Sequence, residues 1–115
     1  MSTRKRKVLL PGQLQAVSRL FAVLSEPSRL ALLQGLHEGP LSVNELVESC
    51  GMKQANASKH LAVLHAHRLV ERQRQGNSIL YAIADPMIFS LCSLVCGKME
   101  KDARRDAVLF RTSAE

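Results

Sequence analysis

The chain has 115 residues, with 16 Lys and Arg against 10 Asp and Glu and a formal charge of +6. That is the size of one domain, and the charge favours a polyanionic partner, nucleic acid or an anionic membrane surface. No apolar run approaches the ~20 residues of a spanning helix, and Arg4-Lys5-Arg6-Lys7 is followed only by Val8-Leu9-Leu10 before Pro11-Gly12, too little for a secretory signal. A cytoplasmic protein with no membrane partner is expected, its three cysteines Cys50, Cys92 and Cys96 held reduced. With no Trp, three Phe and one Tyr, the core is thin, and pairing with a second copy would help to bury it.

Residues 1–12 read as a basic N-terminal arm ending in Pro-Gly, either a solvated tail or an extra DNA contact. From Gln13 to Leu24 the apolar residues Leu14, Val17, Leu20, Phe21 and Leu24 recur at spacings of three and four, one face of a helix. Ser25-Glu26-Pro27 breaks it, since proline disfavours helix in the residue before it and fits a new first turn. A second helix follows with Leu30, Leu33 and Leu36 inward and stops near Gly39-Pro40. Ser42-Val43-Asn44-Glu45 is a capping box. It starts a short helix, with Val43, Leu46 and Val47 buried, that ends at Cys50-Gly51. Another helix spans Gln54 to His65, within a stretch from Lys53 to His67. Two helices joined by about three or four residues with glycine in the turn are the helix-turn-helix pattern. Leu69–Arg74, the turn residues Gln75-Gly76-Asn77 and Ser78–Ile83 then read as a basic hairpin, the position of a wing. Asp85-Pro86 caps a last helix with Ile88, Phe89, Leu91, Cys92, Leu94, Val95 and Met99. From Lys101 the chain is mixed in charge and is expected to fray. The expected fold is mostly α with a small β-hairpin: a winged helix-turn-helix domain over 13–100 with a C-terminal tail over 101–115.

At about 100° per residue, Ala57, Leu61 and Leu64 of the Gln54–His65 helix face the core, while Ala55, Asn56, Lys59 and Ala62 face out. A small, polar outer face can enter the major groove without clashing. Asn56 suits an adenine edge, and Lys59 suits guanine or phosphate. Ser58 and His60 fall on the flanks, suited to the DNA backbone. Gln54, in the first turn, can reach a base edge, and the N–H groups there favour a phosphate. Arg72, Arg74 and Asn77 of the wing suit phosphates or the minor groove, contacts that fix register and weaken with salt. The competing reading is a solvated polar helix beside a charged hairpin.

The chain resembles the ArsR/SmtB family of small bacterial winged-helix repressors from about Leu14 to Met99. The resemblance rests on Leu24-Ser25-Glu26-Pro27-Ser28-Arg29-Leu30-Ala31-Leu32-Leu33, on Gln54–Leu64, on Leu69-Val70 and on Gly76-Asn77-Ser78-Ile79-Leu80-Tyr81. It implies a homodimer paired through the first and last helices, and a repressor that leaves a palindromic double-stranded operator when an effector binds. Two-fold symmetry would set the recognition helices about one turn apart. The family's arsenic and cadmium/lead sensors carry two cysteines in the segment matching Leu41–Leu46; Ser42 and Asn44 stand there instead. Its zinc sensors use Asp and His on the last helix, which here has no His, so neither site carries over.

Cys92 and Cys96, four residues apart on the last helix, lie on one side of it. Two thiolates so spaced can hold one soft ion, As(III), Sb(III) or a soft divalent metal, or can be oxidised or persulfidated. An intrahelical disulfide is disfavoured, because Cβ atoms about 6 Å apart exceed the usual ~3.8 Å. The alternative is packing: Cys92 lies in line with Ile88, Val95 and Met99, and free Cys is often a small buried hydrophobe. Cys50 ends the helix before the recognition helix, so a change there could move it. His37, His60, His65 and His67 do not form a tetrahedral set and are expected along the DNA face or its edge. A winged-helix protein–protein module is the rival reading. An enzyme is not expected: there is no Gly-rich phosphate loop, nucleophile–base pair or carboxylate cluster.

Overall fold

The computed structural model describes residues 8–114, with side chains to Leu109. The cluster Arg4-Lys5-Arg6-Lys7 of the expected arm lies outside the described residues, as does Glu115. The chain divides at Ala84/Asp85 into two compact units.

The first unit holds α1 (Pro11–Leu24), α2 (Pro27–Gly35), β1 (Leu41–Ser42), α3 (Val43–Cys50), α4 (Gln54–Ala66), β2 (Val70–Gln75) and β3 (Ser78–Ile83). Helix α1 starts at Pro11 rather than Gln13, because proline fits a helix's first position. The Gln13 side chain accepts the Leu10 N–H at 2.7 Å. Helix α2 ends at Gly35, before the expected Gly39-Pro40; turns carry the chain onward, with His37 N–H donating to Gln34 and Gly39 N–H to Leu36. The Ser42–Glu45 capping box forms as expected, Glu45 N–H donating to Ser42 Oγ at 3.2 Å and Ser42 N–H to Glu45 Oε1 at 2.9 Å.

The core of this unit lies among α2, α3 and α4, which pack pairwise on one another. Leu32, Leu33, Leu36, Leu46, Ala57, Leu61 and Leu64 are buried there, with Leu69, Val70 and Tyr81 at the base of the sheet. Leu30, expected inward, is exposed, and Leu32 is fully buried instead. Leu30, Leu32, Leu33 and Leu36 spread too widely around the helix for periodicity alone to choose the inward face. Val43 and Val47 are half-buried rather than buried. On α1 only Val23 and Leu24 are buried; Leu14, Val17 and Phe21 of the expected inward face stay exposed.

The sheet has the order β1-β3-β2, antiparallel throughout. Strand β1 pairs Leu41 with Tyr81 and Ser42 with Leu80; it was not expected, because two residues give no readable alternation. The β2–β3 hairpin closes between Gln75 and Ser78. Gly76 has φ 63, and a positive φ at the first of two loop residues is what a type II′ turn asks of glycine.

The second unit is α5 (Met87–Ala114), whose start is marked by Asp85 Oδ1 accepting the Met87 N–H at 2.9 Å. The tail expected to fray from Lys101 is helical to Ala114. No proline or glycine follows Gly97, and the Lys98–Asp102 ion pair bridges one turn at helix-stabilising spacing. No helix among the described residues is long and apolar enough to cross a membrane.

Candidate nucleic-acid interface

Helix α3 ends with Gly51 in the left-handed region, φ 69, its N–H donating to Val47 at 2.9 Å. Only Gly51, Met52 and Lys53 then separate it from α4. A Cβ on Gly51 would meet nothing within 4 Å, so the glycine serves the turn's backbone rather than a close approach. The turn presents α4 with Ala57, Leu61 and Leu64 fully buried and Gln54, Ala55, Asn56, Ser58, Lys59 and Ala62 exposed. The N-cap side chain, Lys53, makes no capping hydrogen bond. The first-turn N–H groups therefore have no side-chain acceptor from the cap, and an open recess of about 520 Å³ lies at this end of the helix. Gly51, Met52, Lys53, Ala55, Asn56 and Lys59 line it. A recess combining a helix N-terminus with two lysines favours an anion.

His60 corrects the expectation of a flank contact. It is only 6 % exposed, and its Nδ1 accepts from Arg29 Nε at 3.2 Å. One residue of rotation from Lys59 turns it toward α2, whose first turn supplies that donor. His37 and His67 are exposed and His65 is half-buried. Among the described residues no group of three or more His, Cys, Asp or Glu side chains is placed to hold a metal ion.

On the wing, Arg72 stands opposite Tyr81 and Arg74 opposite Ile79, so both arginines share one face of the hairpin. Val70 and Tyr81 bury that face at its base, while everything on β2 from Glu71 outward is exposed. Arg72 and Arg74 are thus lifted off the core on a paired, registered ribbon. Asn77 is exposed at the tip. Met52 and Lys53 were not singled out from the sequence as contact residues, although a cation just before the recognition helix was a readable signal. Arg29 gave no signal at all, since its role appears only when α2 and α4 are packed.

The cysteines separate. Cys50 Sγ donates to the Ala31 carbonyl at 3.5 Å, and a Cβ on Gly35 would lie 3.2 Å from that sulfur, so Cys50 fills a tight α2–α3 approach. Cys92 is half-buried and Cys96 exposed, both on α5.

A helix pair with a three-residue turn, an outward polar face on the second helix and a three-stranded wing together define a winged helix-turn-helix of the transcriptional-regulator class. A helix-turn-helix domain family matches residues 24–73. The regulator NmtR of Mycobacterium tuberculosis is 40 % identical over 75 residues, 65 % of this chain and 62 % of that one; the chain thus spans less than two thirds of that relative. The crystal structure of the antimony-specific transcriptional repressor AntR superposes with a TM-score of 0.75 at 31 % identity, covering 88 % of this chain and 92 % of that one. A homodimeric winged helix-turn-helix DNA-binding domain from Mycobacterium bovis gives a TM-score of 0.71 at 28 % identity, with 88 % and 92 % covered. The chain belongs to the ArsR/SmtB family of winged helix-turn-helix regulators.

Proposed function

We propose that the protein is a cytoplasmic homodimeric repressor that binds a palindromic operator in double-stranded DNA. The observation that carries this reading is the outward face of α4, where Gln54, Ala55, Asn56, Ser58 and Lys59 are exposed beside a cationic recess. Asn56 and Lys59 read base edges in the major groove, and the open first turn of α4 takes a phosphate. Arg72, Arg74 and Asn77 hold the wing on the backbone or in the minor groove. Pairing through α1 and α5 accounts for the exposed Leu14, Val17 and Phe21 on one helix and for Val95 and Met99 on the other. A fluorescence-anisotropy scan over candidate operators tests the reading. Salt-dependent preference for one duplex, weakened by Lys59→Ala and Arg74→Ala, is expected; no preference over random DNA overturns it.

The effector acts on the thiols of Cys92 and Cys96. One is half-buried and one exposed on the same side of α5, and similar proteins include an antimony-specific repressor and the "probable mercury resistance operon repressor" of Streptomyces lividans. Cys92 and Cys96 offer two thiols, and among the described residues no third His, Cys, Asp or Glu is grouped with them, so a three-coordinate As(III) or Sb(III) would draw its third ligand from elsewhere, the second protomer included. A soft divalent metal, oxidation or persulfidation uses the same sulfurs. Cys50 is a weaker candidate, being packed against α2. Titrating the DNA complex with arsenite, cadmium and a persulfide donor identifies the class by mass spectrometry. Equal release from the Cys92→Ser/Cys96→Ser variant sinks the thiol reading.

A further inference from the structure

Arg29 occupies the first turn of α2, half-buried, and reaches in two directions. Its Nε donates to Nδ1 of the buried His60 in the middle of α4, at 3.2 Å. Its Nη1 donates to the Val23 carbonyl at 3.0 Å. Val23 lies in the last turn of α1, where carbonyls have no partner within the helix. One guanidinium therefore satisfies an open helix end and holds a side chain of the recognition helix. Because the fork is planar and rigid, its two acceptors sit at a fixed separation. Shielding from water strengthens both bonds relative to an exposed pair. Accepting at Nδ1 leaves the His60 proton on Nε2, so the ring has one tautomer and one orientation.

His60 follows Lys59 directly and comes one turn after Asn56. Any rotation of α4 that breaks its bond to Arg29 carries both of those side chains with it. We propose that Arg29 is a positioning residue for DNA reading: through His60 it sets the pose of α4 and ties that pose to the C-terminal end of α1. A shift at the end of α1 is then felt on the reading face without passing through the wing. The inference rests on the DNA-binding reading given above.

The test compares Arg29→Ala, His60→Leu, their double variant and His60→Asn with wild type. The probe is the duplex that wild type selects from a random pool. Affinity is read by anisotropy at a temperature where circular dichroism shows each variant folded. The His60 tautomer is read from long-range ring ¹⁵N–¹H spectra. Arg29→Ala and His60→Leu should each lose about tenfold in affinity, the scale of a hydrogen bond to a charged group. The double variant should lose no more than the worse single one, since both remove the same link. His60→Asn keeps an acceptor near the Nδ1 position and should bind within about threefold of wild type. Arg29→Ala should also release the ring from its single tautomer. If Arg29→Ala fails to fold, Arg29→Lys replaces it: one ammonium cannot span both acceptors, so a loss is still expected. A folded Arg29 variant with wild-type affinity, or additive losses in the double variant, overturns the proposal. Wild type preferring no duplex would instead overturn the DNA-binding reading, and Lys59→Ala serves as its separate control.

Discussion

Replacing Arg72 and Arg74 together by Gln removes two charges per chain and leaves the strand much as it was, because Gln73 and Gln75 already occupy β2. Both arginines are exposed, and neither forms an ion pair among the described residues, so neither gives up a carboxylate partner. Stability should therefore change by less than about 0.5 kcal/mol, as for surface substitutions generally. Binding should change in a particular way. Each neutralised phosphate contributes about 0.9 to the slope of log K against log salt, so four lost contacts in the dimer flatten it by about 3.6. Over a fourfold rise in salt from about 50 mM, wild type should lose roughly a hundredfold more affinity than the variant. Anisotropy titrations at four or five salt concentrations measure both slopes. A variant that keeps the wild-type slope would show that the wing does not touch phosphate, and the assignment of Arg72 and Arg74 would fall.

Arg68 is the only non-glycine residue with positive φ among those described, at 60. It ends α4 in a Schellman motif, with Arg68 N–H donating to His65 at 3.0 Å and Leu69 N–H to Leu64 at 2.9 Å. A left-handed conformation costs a side-chain-bearing residue ~1–2 kcal/mol, and glycine returns part of this through its freer unfolded state. Arg68→Gly should thus stabilise the fold by about 0.5–1 kcal/mol in urea denaturation; a lower midpoint would refute this. Leu61→Ala should cost about 3 kcal/mol, since Leu61 is fully buried and its loss leaves a cavity between helices. A midpoint shift equivalent to less than 1 kcal/mol would mean that α4 is not anchored as described.

The helix-turn-helix was legible because its signals were local. A capping box, a glycine C-cap and a short turn each act within four residues, and the hairpin turn reads the same way. The inward set on α4 was legible because Ala57, Leu61 and Leu64 follow one helical period against polar neighbours. The face of α2 was not: Leu30 and Leu32 lie on nearly opposite sides with Leu33 between them, and only packing against α3 and α4 selects the side of Leu32 and Leu33. On α1 the periodic stripe was real, but periodicity says which residues share a face and not what covers it. Leu14, Val17 and Phe21 remain exposed in the single chain. His60 failed for a related reason. Its angle on the helix, about 100° from Lys59, placed it on a flank, and a half-buried partner 31 residues away leaves no trace in local sequence. The charge of the C-terminal stretch suggests a tail, whereas opposite charges four residues apart, as in Lys98 and Asp102, support a helix.

Ser42 belongs to two elements at once: it pairs with Leu80 on β3 and caps α3. The root of the wing and the start of the helix-turn-helix are therefore pinned at one residue, while the wing's tip is held only by its own two-residue turn. Length can be added or removed at Gly76-Asn77 without disturbing the register at Ser42. A graft at the tip could thus retune how tightly the protein grips the DNA backbone and leave base reading by α4 in place. A single insertion beside Ser42 would misalign both.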